Sequence, residues 1–227
     1  MKVTEKITIT NEDNMELMAR YEDNYFDLAI VDPPYGINAN LKRGDTGKNK
    51  HIKQKDYHVG DWDKGIPSKE YFIELKRVSK HQIIWGGNYF LDYLNNTSCF
   101  VVWNKVNGEN TYADCEIAWS SFKTSVRMFT WRWHGFLQQN MANKQERIHP
   151  TEKPIALYEW LLDNYAKEGD RILDTHGGSM SIAIAVDNMN KINGMNLTLD
   201  LCELDEEYFN AGVKRVKNQV SQLKIGF

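Results

Sequence analysis

The chain has 227 residues, of which 41% are hydrophobic, so it can bury one sizeable core, and we predict a single domain over residues 1–227. A formal net charge of −3 excludes a generally basic nucleic-acid binder, so any attraction to phosphate must come from local patches. Three widely separated cysteines and the lack of a membrane-spanning stretch argue against structural zinc and predict a soluble, cytoplasmic protein.

The tetrapeptide Asp32-Pro33-Pro34-Tyr35 directly follows an apolar run at residues 26–31. This pattern is typical of a buried strand whose carboxyl end breaks sharply into a loop. The prolines fix φ and remove backbone donors, which leaves carbonyl groups free to face a ligand. Asp32 adds an acceptor and Tyr35 adds a flat face for stacking. The tetrapeptide therefore suits the binding of an exocyclic amino group, although an ordinary strand exit with a surface tyrosine is the alternative.

A basic segment follows, in which residues 38–65 contain few large aliphatic side chains. We predict a mobile loop here, and its lysines include Lys48, Lys50 and Lys53. One hypothesis is a flap that closes over DNA, with the lysines displacing counterions from phosphates. A solvated loop without such a role is equally compatible with the composition.

Residues 70–137 combine one helix with several strands. The predicted helix buries Tyr71, Phe72, Leu75 and Val78, and the predicted strands lie at 82–85, 100–103, 116–119 and 128–133. Arg127, Arg132 and His134 accompany the last strand, where arginines could contact guanine edges in the major groove. The alternative places the tryptophans of this region in the core and its arginines at an exposed edge.

The last third of the chain has the pattern of a nucleotide-binding βαβ unit. A helix is predicted after residues 149–154, and a short apolar strand then ends in Asp174. A glycine turn at 175–181 and a small-residue helix follow. The next strand, at 197–202, delivers Glu203, and a helix begins near Asp205. Strand, glycine turn, helix, strand and acid form the expected order for such a unit.

Together these motifs resemble the amino-methylating DNA methyltransferases that use S-adenosylmethionine. The resemblance spans roughly residues 10 to 216 and rests on the tetrapeptide, the Lys153-Pro154 segment, the turn from Asp174 to Ser181, and Glu203 with Tyr208-Phe209. The catalytic tetrapeptide precedes the cofactor turn, and this order looks like the beta class of the family. The resemblance implies a doubly wound α/β fold around a mostly parallel sheet, double-stranded DNA as partner, and a bacterial or phage-encoded protein. Homodimers are common in the resembled class, so a homodimer is one option here.

By this resemblance, Asp32 and the Pro33 carbonyl accept the amino hydrogens of a flipped adenine, Pro34 completes the turn, and Tyr35 stacks on the ring. Asp at position 32 favours adenine, because cytosine-specific relatives more often carry Ser there. Residues 121–148 correspond to the target-recognition region. Cytosine N4 or RNA methylation, and a catalytically silent DNA-binding relative, are the alternatives. No metal is needed.

The residues that the resemblance assigns to the cofactor are Asp13, Thr151, Lys153, Asp174, His176, Gly177, Gly178, Ser179 and Glu203. Asp13 is expected near the adenine, Glu203 at the ribose, and Lys153 with Thr151 near the carboxylate. Helix capping is an alternative for Asp13 and Thr151. Met180 stands where the family has a glycine, so it should need an unstrained φ and room for its side chain. We also expect the strands before Asp32 and Asp174 to be neighbours.

Overall fold

The computed structural model describes residues 1–38, 63–108, 113–134, 137–142 and 144–221. Within these ranges the strands are β1 (Ile7–Thr10), β2 (Phe26–Val31), β3 (Ser79–Trp85), β4 (Phe100–Asn104), β5 (Cys115–Ser120), β6 (Arg127–Thr130), β7 (Trp133–His134), β8 (Leu137–Gln138), β9 (Arg171–Asp174) and β10 (Thr198–Cys202). The helices are α1 (Asn14–Met18), α2 (Lys69–Val78), α3 (Ile155–Tyr165), α4 (Ser181–Asn193) and α5 (Glu206–Val220).

Eight of these strands form one sheet in the order β1-β10-β9-β2-β3-β5-β4-β6. Only β5 runs against the others, because it pairs antiparallel with both β3 and β4. The strands β7 and β8 form a separate antiparallel pair. The predicted α/β fold with a mostly parallel sheet is therefore confirmed.

Helices cover both faces of the sheet, as the continuous apolar run of β2 requires. Leu28 and Ile30 pack in the cluster that contains the buried residues of α3 and α4, whereas Ala29 and Val31 pack with those of α1 and α2. All four side chains are almost completely buried. Since burial of one Val, Leu or Ile contributes roughly 1.5–3 kcal/mol, β2 anchors both layers.

The order of the strands reverses between β2 and β9. From β2 the chain continues outward to β3, whereas from β9 it continues in the opposite direction to β10. β2 and β9 are parallel neighbours, with Leu28 opposite Ile172 and Ala29 opposite Leu173. The predicted adjacency is thus confirmed, and the loops that follow Val31 and Asp174 leave the same edge of the sheet. In doubly wound folds, ligands bind in the crevice at this reversal.

Met180 corrects one expectation. Its φ is +57°, in the left-handed region, so the predicted unstrained φ is wrong. The side chain is nevertheless fully buried, because Gly212 of α5 leaves space for it. A Cβ on Gly212 would lie 2.7 Å from the Met180 sulfur. Left-handed backbone costs of order 1–3 kcal/mol, which burial of the thioether offsets.

We expect Gly212→Ala to lower the free energy of unfolding by about 1–3 kcal/mol, because the added methyl group overpacks the space that Met180 occupies. Helix propensity alone predicts the opposite sign, a gain of roughly 0.5–1 kcal/mol. Denaturant unfolding measures the difference, with the exposed Lys214→Ala in the same helix as control. A Gly212→Ala protein at least as stable as the parent would contradict this packing.

The predicted strand at residues 128–133 is shorter in the structure, since β6 ends at Thr130. Trp133 turns instead into the core, where its indole N–H donates to the Glu152 carbonyl oxygen at 2.7 Å. The core alternative is therefore correct for Trp133, while Trp131 stacks on Phe129. Within the described ranges, no helix is long and apolar enough to cross a membrane.

Candidate active site

Asp32 leaves the end of β2 and is held through both carboxylate oxygens. The Tyr35 hydroxyl donates to Oδ1 at 2.6 Å. The Lys153 ammonium donates to Oδ2 and also lies 3.3 Å from the Tyr35 hydroxyl oxygen. Lys153 comes from the segment that leads into α3, so two motifs distant in the sequence meet on one carboxylate.

Lys153 has a second carboxylate partner in Glu116 of β5. The ammonium lies 3.1 Å from Glu116 Oε2, and the Lys105 ammonium pairs with Glu116 Oε1. The Lys153 side chain is only 2% exposed and lies over the Trp85 ring. The sequence predicted Lys153 near a cofactor carboxylate, and in the structure its ammonium is paired with two carboxylates of the protein itself.

These charged groups shift one another's pKa values. Burial opposes the charge on Lys153, but Asp32 and Glu116 outweigh it and raise the pKa of the ammonium. Burial also opposes the charge on Glu116, yet Lys153 and Lys105 lower its pKa to about 2. For Asp32, burial and the Glu116 charge outweigh Lys153 and raise the pKa. Asp32, Glu116, Lys153 and Lys105 therefore form a group of four charges that sum to zero. Asp32 is the more easily protonated of its two carboxylates.

Asp63 fixes the turn after the tetrapeptide. Its Oδ1 accepts the backbone N–H groups of Tyr35 and Gly36, each at 2.8 Å, and the residue is 1% exposed. The Asn38 N–H donates to the Asp63 carbonyl oxygen at 3.2 Å. The end of the segment predicted as a loop over 38–65 is thus packed against the active site. Lys48, Lys50 and Lys53 lie outside the described residues.

The ring of Tyr35 is stacked on Tyr89, with centroids 5.0 Å apart and an interplanar angle of 15°. Gly86 has a φ of +68°, and a Cβ on it would lie 2.2 Å from the Tyr35 ring. The glycine therefore allows the loop after β3 to approach the tyrosine. Tyr89 is 42% exposed, so a base that stacks on this face of Tyr35 must take the place of Tyr89.

The glycine turn lies beside this group, at the end of β9. The Gly177 N–H donates to the Cys202 carbonyl oxygen at 2.8 Å, and the Gly178 N–H donates to Glu203 Oε2 at 2.7 Å. Gly178 has a φ of +48°, and a Cβ there would meet only the His149 ring, at 3.9 Å. Ser179 is buried, and its carbonyl oxygen accepts a bond from Arg215. These hydrogen bonds hold the backbone of the turn. On the side where a Cβ of Gly178 would point, the space is open.

Asp174 and His176 line the inner side of this turn. The His176 N–H donates to Asp174 Oδ1 at 3.0 Å, and the imidazole lies between Thr175 Oγ1 and the Asn14 amide. Burial, with the charges of Asp32 and Glu203, raises the pKa of Asp174 to about 8. Burial lowers the pKa of His176 to about 3. The His176 ring is therefore neutral at pH 7, whereas the pKa of Asp174 lies close to neutral pH.

His149 closes the crevice from the side of the Lys153 segment. Its ring packs against Tyr208 of α5 with centroids 4.3 Å apart, and its Nδ1 lies 3.1 Å from the hydroxyl of the exposed Thr151. Burial and the Lys153 charge lower the pKa of His149 from 6.5 to about 3. The sequence reasoning missed this residue, although it opens the same six-residue segment as Thr151 and Lys153.

The depressed pKa of His149 predicts acid sensitivity. The unfolded chain binds a proton below pH 6.5 that the folded chain excludes until about pH 3, so this stability is present above pH 6.5 and lost as the pH falls. The stability advantage of the parent over His149→Gln should shrink by about 1.4 kcal/mol per pH unit between pH 6 and pH 4. Denaturant unfolding at several pH values tests this, and parallel curves would refute it.

The remaining predicted residues lie further from Asp32 or serve a local role. Asp13 caps α1 by accepting the Met15 N–H at 2.7 Å. Arg127 begins β6 and is exposed, as is Arg132, and His134 belongs to β7. Among the described side chains, no group of three or more His, Cys, Asp and Glu is arranged to hold a metal ion.

A doubly wound fold with a charged group and a glycine turn at the reversal of strand order is typical of one class, the nucleotide-binding proteins with a Rossmann-like sheet. The sequence over residues 95–214 matches the family model N6_N4_Mtase, described as DNA methylase. This match covers more than half of the chain, which therefore belongs to this family of DNA methylases.

Individual relatives agree with the family. The type II methyltransferase M2.MboI of Moraxella bovis is 23% identical, over 92% of this chain and 89% of the relative. Among solved structures, the M1.HpyAVI–SAM complex superposes with a TM-score of 0.55 at 18% identity, over 92% and 98% of the two chains. The cytosine-N4-specific PvuII DNA methyltransferase superposes with a TM-score of 0.57 at 12% identity, over 96% of this chain and 93% of the PvuII chain. These structures show the fold.

Proposed function

We propose that this protein transfers a methyl group from S-adenosylmethionine to the exocyclic 6-amino group of an adenine flipped out of double-stranded DNA. One observation carries the proposal. The Asp32 carboxylate, at the end of β2, lies at the same sheet edge as the glycine turn at the end of β9. An acceptor for amino hydrogens and a turn suited to a nucleotide cofactor then line one crevice.

The residues around the glycine turn fit such a cofactor. The space above Gly178 is open, and the Met180 side chain is directed towards Gly212 of α5 instead of filling it. Asp174 and Glu203 are buried carboxylates whose pKa values are raised, so a ligand with an ammonium or sulfonium charge would stabilise their ionised forms. His176, Ser179, Asp13 and Thr151 remain proposed cofactor residues. We assign Lys153 to the positioning of Asp32, with which its ammonium is paired.

When bound, S-adenosylmethionine supplies an electrophilic methyl group. The adenine amino nitrogen is a weak nucleophile because its lone pair is delocalised into the ring. Asp32 and the Pro33 carbonyl accept its two hydrogens and direct the lone pair outward. Positioning of this kind can contribute roughly 7–11 kcal/mol. Tyr35 stacks on the ring, and the stacking, worth roughly 1–3 kcal/mol, offsets part of the cost of base flipping.

Contacts with the duplex are proposed for the exposed Arg127 and Arg132 and for His134. Lys48, Lys50 and Lys53 stay predictions, as do the homodimer and the beta-class assignment. The second candidate reaction is methylation of cytosine N4, since the cytosine-N4-specific PvuII enzyme shares the fold. Asp at position 32 favours adenine over this alternative.

The test is methyl transfer with purified protein, isotopically labelled S-adenosylmethionine and unmethylated double-stranded DNA, followed by mass spectrometry of the digested nucleosides. We expect labelled N6-methyladenine, and none with a single-stranded RNA of the same sequence. Labelled N4-methylcytosine would establish the second candidate instead. Absence of label from every nucleoside, with confirmed cofactor binding, would leave a silent DNA-binding relative.

A further inference from the structure

Glu116 does not belong to any motif that defines the family resemblance, yet it belongs to the same charged group as Asp32. It lies in β5, on the far side of β3 from β2. Its carboxylate bridges two ammonium groups, the half-buried Lys105 and the buried Lys153. Lys153 in turn pairs with Asp32. Glu116 can therefore act on the reaction only through Lys153 and through its own charge.

The sign of these charges matters for amino methylation. The amino nitrogen gains positive charge as its bond to the methyl group forms and the methyl–sulfur bond breaks, and it loses this charge when one of its protons leaves for water. An uncompensated ammonium at Lys153, directly bonded to Asp32, would oppose that charge and compete for the carboxylate. Glu116 cancels the ammonium, because its carboxylate lies 3.1 Å from the Lys153 nitrogen. In a site shielded from water such a charge acts far more strongly than in bulk solvent.

We propose that Glu116 is a positioning residue for the methyl-transfer step: it holds Lys153 against Asp32 and offsets the positive charge of Lys153 beside the amino group. The inference rests on the proposed function, since it needs a substrate that becomes cationic at Asp32. Lys105 pairs with the other oxygen of Glu116, the one that does not face Lys153.

The pH dependence of the reaction distinguishes this role from a structural one. The groups that act on Asp32 come from every element around it, namely Tyr35, Tyr71, Glu116, Lys153, Tyr158 and Asp174. Among these, the Glu116 charge contributes to raising the pKa of Asp32. Its removal should therefore let Asp32 ionise at lower pH.

The experiment compares the pH profiles of kcat for the parent and for Glu116→Gln, an isosteric change that removes the charge and keeps one acceptor oxygen. We expect the kcat of the variant on the plateau to fall about 10- to 100-fold. Its KM for S-adenosylmethionine should stay within about threefold of the parent, because the residue is not part of the glycine turn. The acidic limb of the profile should move to lower pH.

Two further variants complete the design. Glu116→Asp keeps the charge, so its kcat on the plateau should be close to that of the parent. The acidic limb of its pH profile should lie at the same pH as in the parent. Lys105→Met leaves the Glu116–Lys153 pair intact and should lower kcat by no more than about threefold. A Glu116→Gln profile that falls uniformly, without a shift of its acidic limb, would overturn the inference. An inactive parent enzyme would instead refute the proposed function.

Discussion

Replacement of Asp32 by Ala is expected to lower methyl transfer by roughly 1000-fold or more while S-adenosylmethionine binding persists. The variant loses the side-chain acceptor for the amino hydrogens, and loss of one preorganised group of this kind typically costs about 100- to 1000-fold. The negative charge opposite the developing cation is lost with it. Lys153 keeps Glu116 as a partner, so the fold should survive. Rates of label transfer and calorimetric titration measure the two effects.

Asp32→Asn provides the matched control for this loss. It keeps the shape and one acceptor oxygen but removes the charge, so its activity should lie between those of the parent and of Asp32→Ala. Circular dichroism should show the parent secondary structure for both variants. Retained transfer in Asp32→Ala, at more than about a tenth of the parent rate, would show that Asp32 does not carry the reaction.

Replacement of Lys153 by Met should have the largest effect on stability. It leaves Asp32 and Glu116 as neighbouring carboxylates without their shared cation, and breaking a buried ion pair in this way costs about 3–5 kcal/mol. Part of that cost is avoided when Asp32 takes up a proton, so the loss should be smaller at pH 5 than at pH 8. Denaturant unfolding at these two pH values provides the measurement.

The double variant Lys153→Met/Glu116→Gln tests the cause of this loss. Removing the second carboxylate relieves the repulsion, so the double variant should be more stable than Lys153→Met alone by at least about 1 kcal/mol. Lys105→Met, at the more exposed end of the same group, should cost less than about 1 kcal/mol. A double variant less stable than the single one would show that packing, and not charge, dominates at this position.

The architecture could be predicted because its signals are local. The run at residues 26–31 and the turn after Asp174 each show a buried strand that ends in a loop. Parallel strands place such loops at one edge of the sheet. The predicted adjacency of the two strands was therefore enough to place both motifs in one crevice. The structure confirms that adjacency.

The contacts that hold the site could not be predicted, since each joins residues from distant segments. Asp63 binds the turn at Tyr35 from 28 positions away, and Glu116 reaches Lys153 across β3. Arg215 of α5 pairs with the buried Glu152 and with the Ser179 carbonyl oxygen. A carboxylate in an exposed turn and one in a buried group look the same in a sequence. The part that Glu116 plays beside Lys153 was missed for this reason.

Met180 illustrates the same limit for packing. Met180 was expected to need an unstrained φ and room for its side chain, but its φ is positive. The crevice stays open because a glycine in another helix, Gly212, receives the side chain. That compensation depends on the contact between α4 and α5, which no local pattern reveals.

A crystal structure with bound S-adenosylhomocysteine tests the central claim most directly, because it shows whether the glycine turn and Asp32 share one pocket. We predict that the sulfur atom lies in the crevice between Gly178 and Asp32, with the methionine moiety against the glycine turn. Density for the ligand at any other place on the sheet, with this crevice empty, would contradict the account.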